Sequence, residues 1–114
     1  FLDIKPLFVG NTLVVPREHH VTLGDLPADQ LAPFFQRVQR LSRLVPDEFK
    51  APGSFVAMNN VVSQSVAHLH AHVVPRRPKD GLRGFFWPRI SYEDERHLAE
   101  TAARLRARWD SPGA

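Results

Sequence analysis

The stretch Val66-Ala67-His68-Leu69-His70-Ala71-His72-Val73-Val74-Pro75-Arg76 alternates histidine with an apolar residue from His68 to Val73. A period of two is the pattern of a strand with one face toward a core. Successive side chains of a strand point to opposite faces, so His68, His70 and His72 share one face and Leu69, Ala71 and Val73 the other. The sequence therefore predicts a strand over 66–74 that carries a row of three imidazoles. These are half of the six histidines in the chain.

The elements around this strand predict an α+β fold. Phe1-Leu2-Asp3-Ile4 reads as the remnant of a strand, and Asn11-Thr12-Leu13-Val14-Val15 as a second one that stops at Pro16. Residues 17–26 read as a loop in which His19 and His20 have no assigned chemistry. Pro27 suits the first turn of a helix. Leu31, Phe34, Phe35, Val38, Leu41 and Val45 follow helical spacing, with Arg37, Gln39, Arg40 and Arg43 on the other side. Pro33 is expected to start or kink that helix. Ala51-Pro52-Gly53 turns the chain into a strand over 54–58, which should pair with the histidine strand as a hairpin across the polar loop 59–65.

Residues 75–84 read as a basic loop holding Arg76, Arg77, Lys79 and Arg83, and Phe85-Phe86-Trp87-Pro88 as an apolar patch that packs on the domain or on a second subunit. Ser91, with Asp94 three residues later, predicts a capping box. The last helix then buries Leu98, Ala102, Leu105 and Trp109, with His97 an ordinary structural histidine. The order β-β-α-β-β-α belongs to an α+β domain: an antiparallel β-meander sheet with one helix between strands and a C-terminal helix. At 114 residues, a single domain over 1–114 is expected. Because the chain opens inside an apolar stretch, a preceding segment is also expected.

Three chemistries can use a row of imidazoles. Two histidines at His-x-His spacing can share a zinc. The outer two Cα atoms, however, lie about 13 Å apart at strand rise, and zinc wants its nitrogens within about 2.1 Å. Residues 59–79 contain no Asp or Glu to complete such a site, so a dedicated metal site is disfavoured. Purely structural histidines are the second reading, but burying three imidazoles side by side is costly unless each finds a partner. The third is catalysis on an extended anion. Imidazoles are tunable near neutral pH, and phosphate esters and anhydrides accept nitrogen nucleophiles while needing several donors. The loop Asn59-Asn60-Val61-Val62-Ser63-Gln64-Ser65 adds amide and hydroxyl donors next to the row.

Composition narrows the remaining classes. The chain has no cysteine, which removes disulfides, thiolate nucleophiles and cysteine-ligated zinc and fits a reducing compartment such as the cytoplasm. No apolar run approaches the roughly 20 residues that cross a bilayer. A net charge of +3 suits an anionic ligand but is too small to point to nucleic acid.

The stretch from Gln64 to Arg76 resembles the signature of the histidine triad (HIT) superfamily, in which alternating histidines follow a Gln-containing loop. Phe1-Leu2-Asp3-Ile4-Lys5-Pro6, then Asn11 to Pro16 and His20, is similar to that family's nucleoside-binding strand and the strand after it. The resemblance covers about residues 1–88 and implies a hydrolase or transferase attacking the α-phosphate of an adenine or guanine nucleotide conjugate, either a dinucleoside polyphosphate or a nucleoside phosphoramidate. It makes His70 the nucleophile that forms a nucleotidyl-histidine. His72 contacts the phosphate and assists the leaving group, and His68 orients the nucleophile. Gln64, Ser65 and either Asn59 or Asn60 match phosphate-binding loop positions. Asp3 matches the carboxylate that accepts from the ribose hydroxyls, and Phe1 and Ile4 flank the base.

The same resemblance implies no required cofactor, magnesium entering only in complex with the substrate phosphates, and a homodimer. From the modest charge and the lack of a long apolar run, no nucleic-acid or membrane partner is expected. Arg76 and Arg77 could neutralise extra phosphates of a polyphosphate. One position departs: the family often carries a histidine where Asn11 stands, buried behind the triad and bonded to its first member, and strands that usually complete the base pocket are absent from this numbering. Competing readings are a non-catalytic nucleotide sensor and a metal hydrolase using His68 and His70.

Overall fold

In a computed structural model, which describes residues 1–82 and 89–113, the apolar half of the alternation forms the core: Leu69, Ala71 and Val73 are fully buried while the three histidines are half-exposed. Their strand (β3) is paired regularly over Ala71–Arg76, and β1 spans Thr12–Val14 and β2 Gly53–Ala57. The sheet order is β1-β3-β2 with both pairings antiparallel. The hairpin expected across residues 59–65 is therefore present, and β3 runs between its two neighbours. Phe1 to Asp3 extend the sheet beyond β1: Leu2 bridges to Thr12, Leu13 N–H donates to Phe1 O and Asp3 N–H to Asn11 O.

Regular pairing starts later than the alternation predicts, because the backbone before Ala71 finds other partners. Leu69 N–H donates to His20 O at 2.7 Å, and His68 N–H to Val66 O at 2.8 Å. Every backbone donor must be satisfied somewhere, and here a loop takes the place of a strand. His68 and His70 thus precede the ladder while keeping its in–out alternation.

The helix α1, Ala28–Glu48, packs against all three strands, burying Phe34, Val38 and Val45 with Val14 and Leu26 against the inner side of β3. Pro33 neither starts nor ends it: the helix runs through Pro33 and Pro46. Burial of Phe34 and Val38 on either side of the following turn outweighs the one backbone bond that a proline cannot donate. A short 3-10 turn, Leu23–Asp25, leads into the helix. Gly10 is required where it stands, since φ is +100° and a Cβ there would lie 2.6 Å from Cε2 of Phe49.

Contacts divide the chain into two compact units, Phe1–Leu82 and Arg83–Ala114. In the second, α2 spans Glu95–Trp109 and its N-cap is Asp94, whose Oδ1 accepts from His97 N–H at 2.7 Å. The cap therefore falls three residues after the predicted Ser91. The expected buried stripe is instead exposed, with Leu98 at 48%, Leu105 at 67% and Trp109 at 84%. The Phe85–Pro88 patch lies outside the described residues.

The basic loop after β3 also departs from expectation. Arg76 and Arg77 are committed to structure: Arg76 Nε and Nη2 reach the two Asp80 oxygens at 2.6 and 3.1 Å, and Arg77 donates to Phe49 O. Asp80 accepts from the backbone N–H of Arg77 and Leu82 as well. A carboxylate so surrounded by donors loses its proton easily, and the Asp80 pKa falls from 3.8 to about 2, chiefly through the Arg76 hydrogen bonds.

Candidate active site

The histidine row opens onto a cleft of about 350 Å³ lined by Phe1, Asp3, Leu13, Val15, Ser65, Val66, His68, His70 and His72. The sheet register explains this set. Leu13 lies opposite His72, and Phe1 lies opposite Leu13 on the other side, so one row of side chains crosses three chain segments on the same face. Asp3 and Asn11 face each other in the next row. The cleft thus has an apolar wall of Phe1, Leu13, Val15 and Val66, and a polar end of Asp3, Ser65 and the imidazoles.

Hydrogen bonds fix which ring nitrogens carry protons. His70 Nδ1 lies 2.8 Å from His68 O, and a carbonyl can only accept, so Nδ1 bears the hydrogen. In the neutral ring Nε2 then holds a free lone pair. His68 Nε2 lies 2.8 Å from Pro16 O and must likewise be the donor. In the neutral ring its Nδ1 then accepts from His19 Nδ1–H across 3.1 Å. His68 therefore spends both nitrogens on residues 16–19, and its backbone carbonyl orients His70.

His72 is tuned differently. Its pKa lies below the ordinary imidazole value, first because burial disfavours the cation, then because a charge on His70 would repel it, with the Asp3 carboxylate opposing both. Its Nδ1 is shut from solvent without a partner. The rings of His70 and His72 stand edge to face, with centroids 5.3 Å apart. Among the described residues, no three His, Asp or Glu side chains are grouped so as to hold a metal.

Of the loop residues singled out in the sequence, only Ser65 lines the cleft. Gln64 is used at both ends: its Oε1 accepts from Val61 N–H at 2.9 Å and its Nε2 donates to Val21 O at 2.6 Å. Asn60 Oδ1 accepts from Leu23 N–H at 2.8 Å, and Asn59 Nδ2 donates to Ser63 O at 3.1 Å. These amides hold a loop in which Val61 and Ser63 adopt left-handed φ of 70° and 61°. Ile4 is 93% exposed and is not a wall of the cleft.

Asn11 is buried, as expected, but not as the partner of His68. Its Nδ2 lies 3.5 Å from Asp3 Oδ2, and its Oδ1 has no partner. The ring that pairs with His68 is His19, a residue of the loop after Pro16 with no chemistry expected from its sequence position. No periodicity marks it; only its position three residues after the strand-ending Pro16 places it near the row.

Residues 1–79 match the family model described as HIT domain. Over 94 residues the chain is 32% identical to the adenosine 5'-monophosphoramidase HNT1 of Candida albicans, covering 77% of this chain and 62% of that protein. It is 30% identical over 82 residues to the asymmetrical bis(5'-nucleosyl)-tetraphosphatase of Schizosaccharomyces pombe, covering 70% and 45% respectively. The crystal structure of a HIT family protein from Bacillus subtilis superposes with a TM-score of 0.86 at 29% identity, over 97% of this chain and 81% of that one. The chain spans about six tenths of the length of the curated relatives it matches. With the family model covering more than half of its residues and the histidine cleft in place, the chain belongs to the HIT family.

Proposed function

We propose that the cleft cleaves nucleotide conjugates at the α-phosphate through His70. The observation that carries this reading is the hydrogen bond from His70 Nδ1 to His68 O, which leaves a neutral imidazole with its Nε2 lone pair free at the cleft. Nε2 attacks phosphorus, the bond to the leaving group breaks, and a proton goes to that group. Water then attacks the nucleotidyl-histidine and regenerates the ring. His72, held neutral, donates an N–H to a phosphoryl oxygen. As substrate charge arrives, that negative field favours its protonated form, which suits it to supply the leaving group's proton. Ser65 adds a hydroxyl to the phosphate end. Asp3 takes the ribose hydroxyls, since a carboxylate has lone pairs beyond those used by Lys5 N–H and Asn11. Phe1, Leu13 and Val15 form an apolar wall for the base.

The two named relatives act on different bonds, and the charge at the cleft favours one of them. Among the described residues no guanidinium lines it, and Arg76 and Arg77 are held by Asp80 and Phe49. A substrate with a single phosphate, such as a nucleoside phosphoramidate, fits this better than a long polyphosphate. No cofactor enters the cycle, and magnesium would accompany only a polyphosphate. We further propose that two copies associate, supported by the exposed Leu98, Leu105 and Trp109 of α2; sedimentation as a monomer at micromolar concentration overturns this.

The test of the activity is hydrolysis of adenosine 5'-phosphoramidate beside a diadenosine polyphosphate. The phosphoramidate is expected to be the better substrate, with a phosphohistidine adduct trapped on acid quench. His70→Ala should abolish turnover while retaining nucleotide binding. Near-normal hydrolysis by that variant removes His70 as the nucleophile.

A further inference from the structure

Both ring nitrogens of His68 are gripped by residues 16–19, so whatever holds that stretch of chain also sets the geometry behind His70. The next residue, His20, is not a wall of the cleft. Its side chain is 16% exposed, and its Nε2 is shut from solvent with no hydrogen-bond partner. Glu18 Oε2 lies 3.5 Å from that nitrogen, and the same oxygen accepts from Gln30 Nε2 of α1 at 2.7 Å. The carbonyl of His20 accepts from the N–H of Leu69, the residue between His68 and His70, at 2.7 Å. One short segment therefore meets the histidine row through a ring at His19 and a backbone bond at His20, and meets α1 through Glu18.

We propose that His20, Glu18 and Gln30 form a strut that positions the His19–His68 pair, making His20 a positioning residue for His70. The His20 ring nitrogen stands in polar contact with the Glu18 carboxylate at 3.5 Å, and Gln30 ties that carboxylate to α1, so the loop is braced on the helix. Without that ring nitrogen the contact to Glu18 is lost, and residues 16–20 can drift together with Pro16 O and the His19 ring. The first effect is on His68: its Nε2–H loses its acceptor and its single tautomer is no longer enforced. The carbonyl of His68 then holds His70 Nδ1–H less firmly. This inference rests on the catalytic reading of the cleft for its kinetic consequence, but not for its effect on His68.

Three variants separate the strut from simple packing. His20→Phe keeps a ring and removes the nitrogen, His20→Gln keeps an N–H donor for Glu18, and Glu18→Gln leaves the buried ring untouched. With a nucleoside phosphoramidate as substrate, His20→Phe should lower kcat on the order of ten- to a hundredfold, the scale of a small misplacement of reacting groups, with little change in KM. His20→Gln should recover most of that loss, and Glu18→Gln should fall between. Nitrogen-15 spectra of the His68 ring should show one Nε2–H tautomer in the wild-type protein and in His20→Gln, and a mixture in His20→Phe. Wild-type kcat and an unchanged His68 spectrum in His20→Phe overturn the strut, as does equal loss in His20→Phe and His20→Gln. If His20→Phe does not fold, Glu18→Gln decides by the same two readings. If the wild-type protein cleaves no nucleotide conjugate, the catalytic reading fails, and the His68 spectra alone still decide for or against the strut.

Discussion

Val61 is the residue whose replacement most directly probes the loop beside the histidines. Its φ of 70° lies in the left-handed region, where a β-branched residue is a marked outlier. The penalty for an L side chain there is about 1–2 kcal/mol. Glycine removes it but loses more chain entropy on folding, costing about 0.5–1 kcal/mol. Val61 is 72% exposed, so little burial is forfeited. The hydrogen bonds that fix the loop are unaffected, since Gln64 Oε1 holds the backbone N–H at position 61 and not the side chain. Val61→Gly is therefore expected to stabilise the protein by about 0.5–1 kcal/mol, a rise of about 2–4 °C in Tm for a domain of this size. Urea unfolding followed by circular dichroism measures it, with Val61→Ala as the control that keeps Cβ and most of the strain. A Val61→Gly protein less stable than wild type would falsify the argument, because it would mean that position 61 is unstrained and the lost entropy dominates.

Three further perturbations test other parts of the molecule. Gly10→Ala places a Cβ against the Phe49 ring in a left-handed conformation and should destabilise by about 2–4 kcal/mol; a melting temperature within a degree of wild type refutes the fit. Asp80 has a carboxyl pKa depressed from 3.8 to about 2, so the stability it contributes is present above about pH 4 and is lost as pH falls toward 2. The stability gap between wild type and Asp80→Asn should accordingly close across that window, and a gap that persists at pH 2 contradicts the assignment. The His72 pKa is depressed from 6.5, so the folded state resists protonation there and stability should fall as pH drops below about 6.5. Proton spectra should show the His72 ring titrating below an ordinary histidine; titration above it rules out burial as the dominant cause.

The parts of this fold that follow from period alone were legible in the sequence. Alternation placed Leu69, Ala71 and Val73 in the core and the three histidines on the outer face, and helical spacing placed Phe34, Val38 and Val45 against them. What was not legible depends on pairings between distant segments. Leu69 bonds to His20, and this long-range contact, which no local pattern encodes, is where the ladder gives way to a loop. Pro33 lies inside α1 and does not begin it, since packing over two turns outweighs a local breaker. In the cleft, Asp3, Ser65 and the imidazole row were identified, but Gln64, Asn59 and Asn60 have the residue types of ligand donors and spend them on backbone groups. His19 escaped notice because its role comes from where the loop after Pro16 folds back, not from spacing.

His68 gives this arrangement one more consequence. Two imidazoles at His-x-His spacing can share a transition metal, and a metal held that way would occupy the lone pair of His70. With Nε2 donating to Pro16 O and Nδ1 accepting from His19, His68 has no free lone pair to offer. To a transition metal the row therefore presents at most the Nε2 atoms of His70 and His72, two of the four ligands that a structural zinc takes.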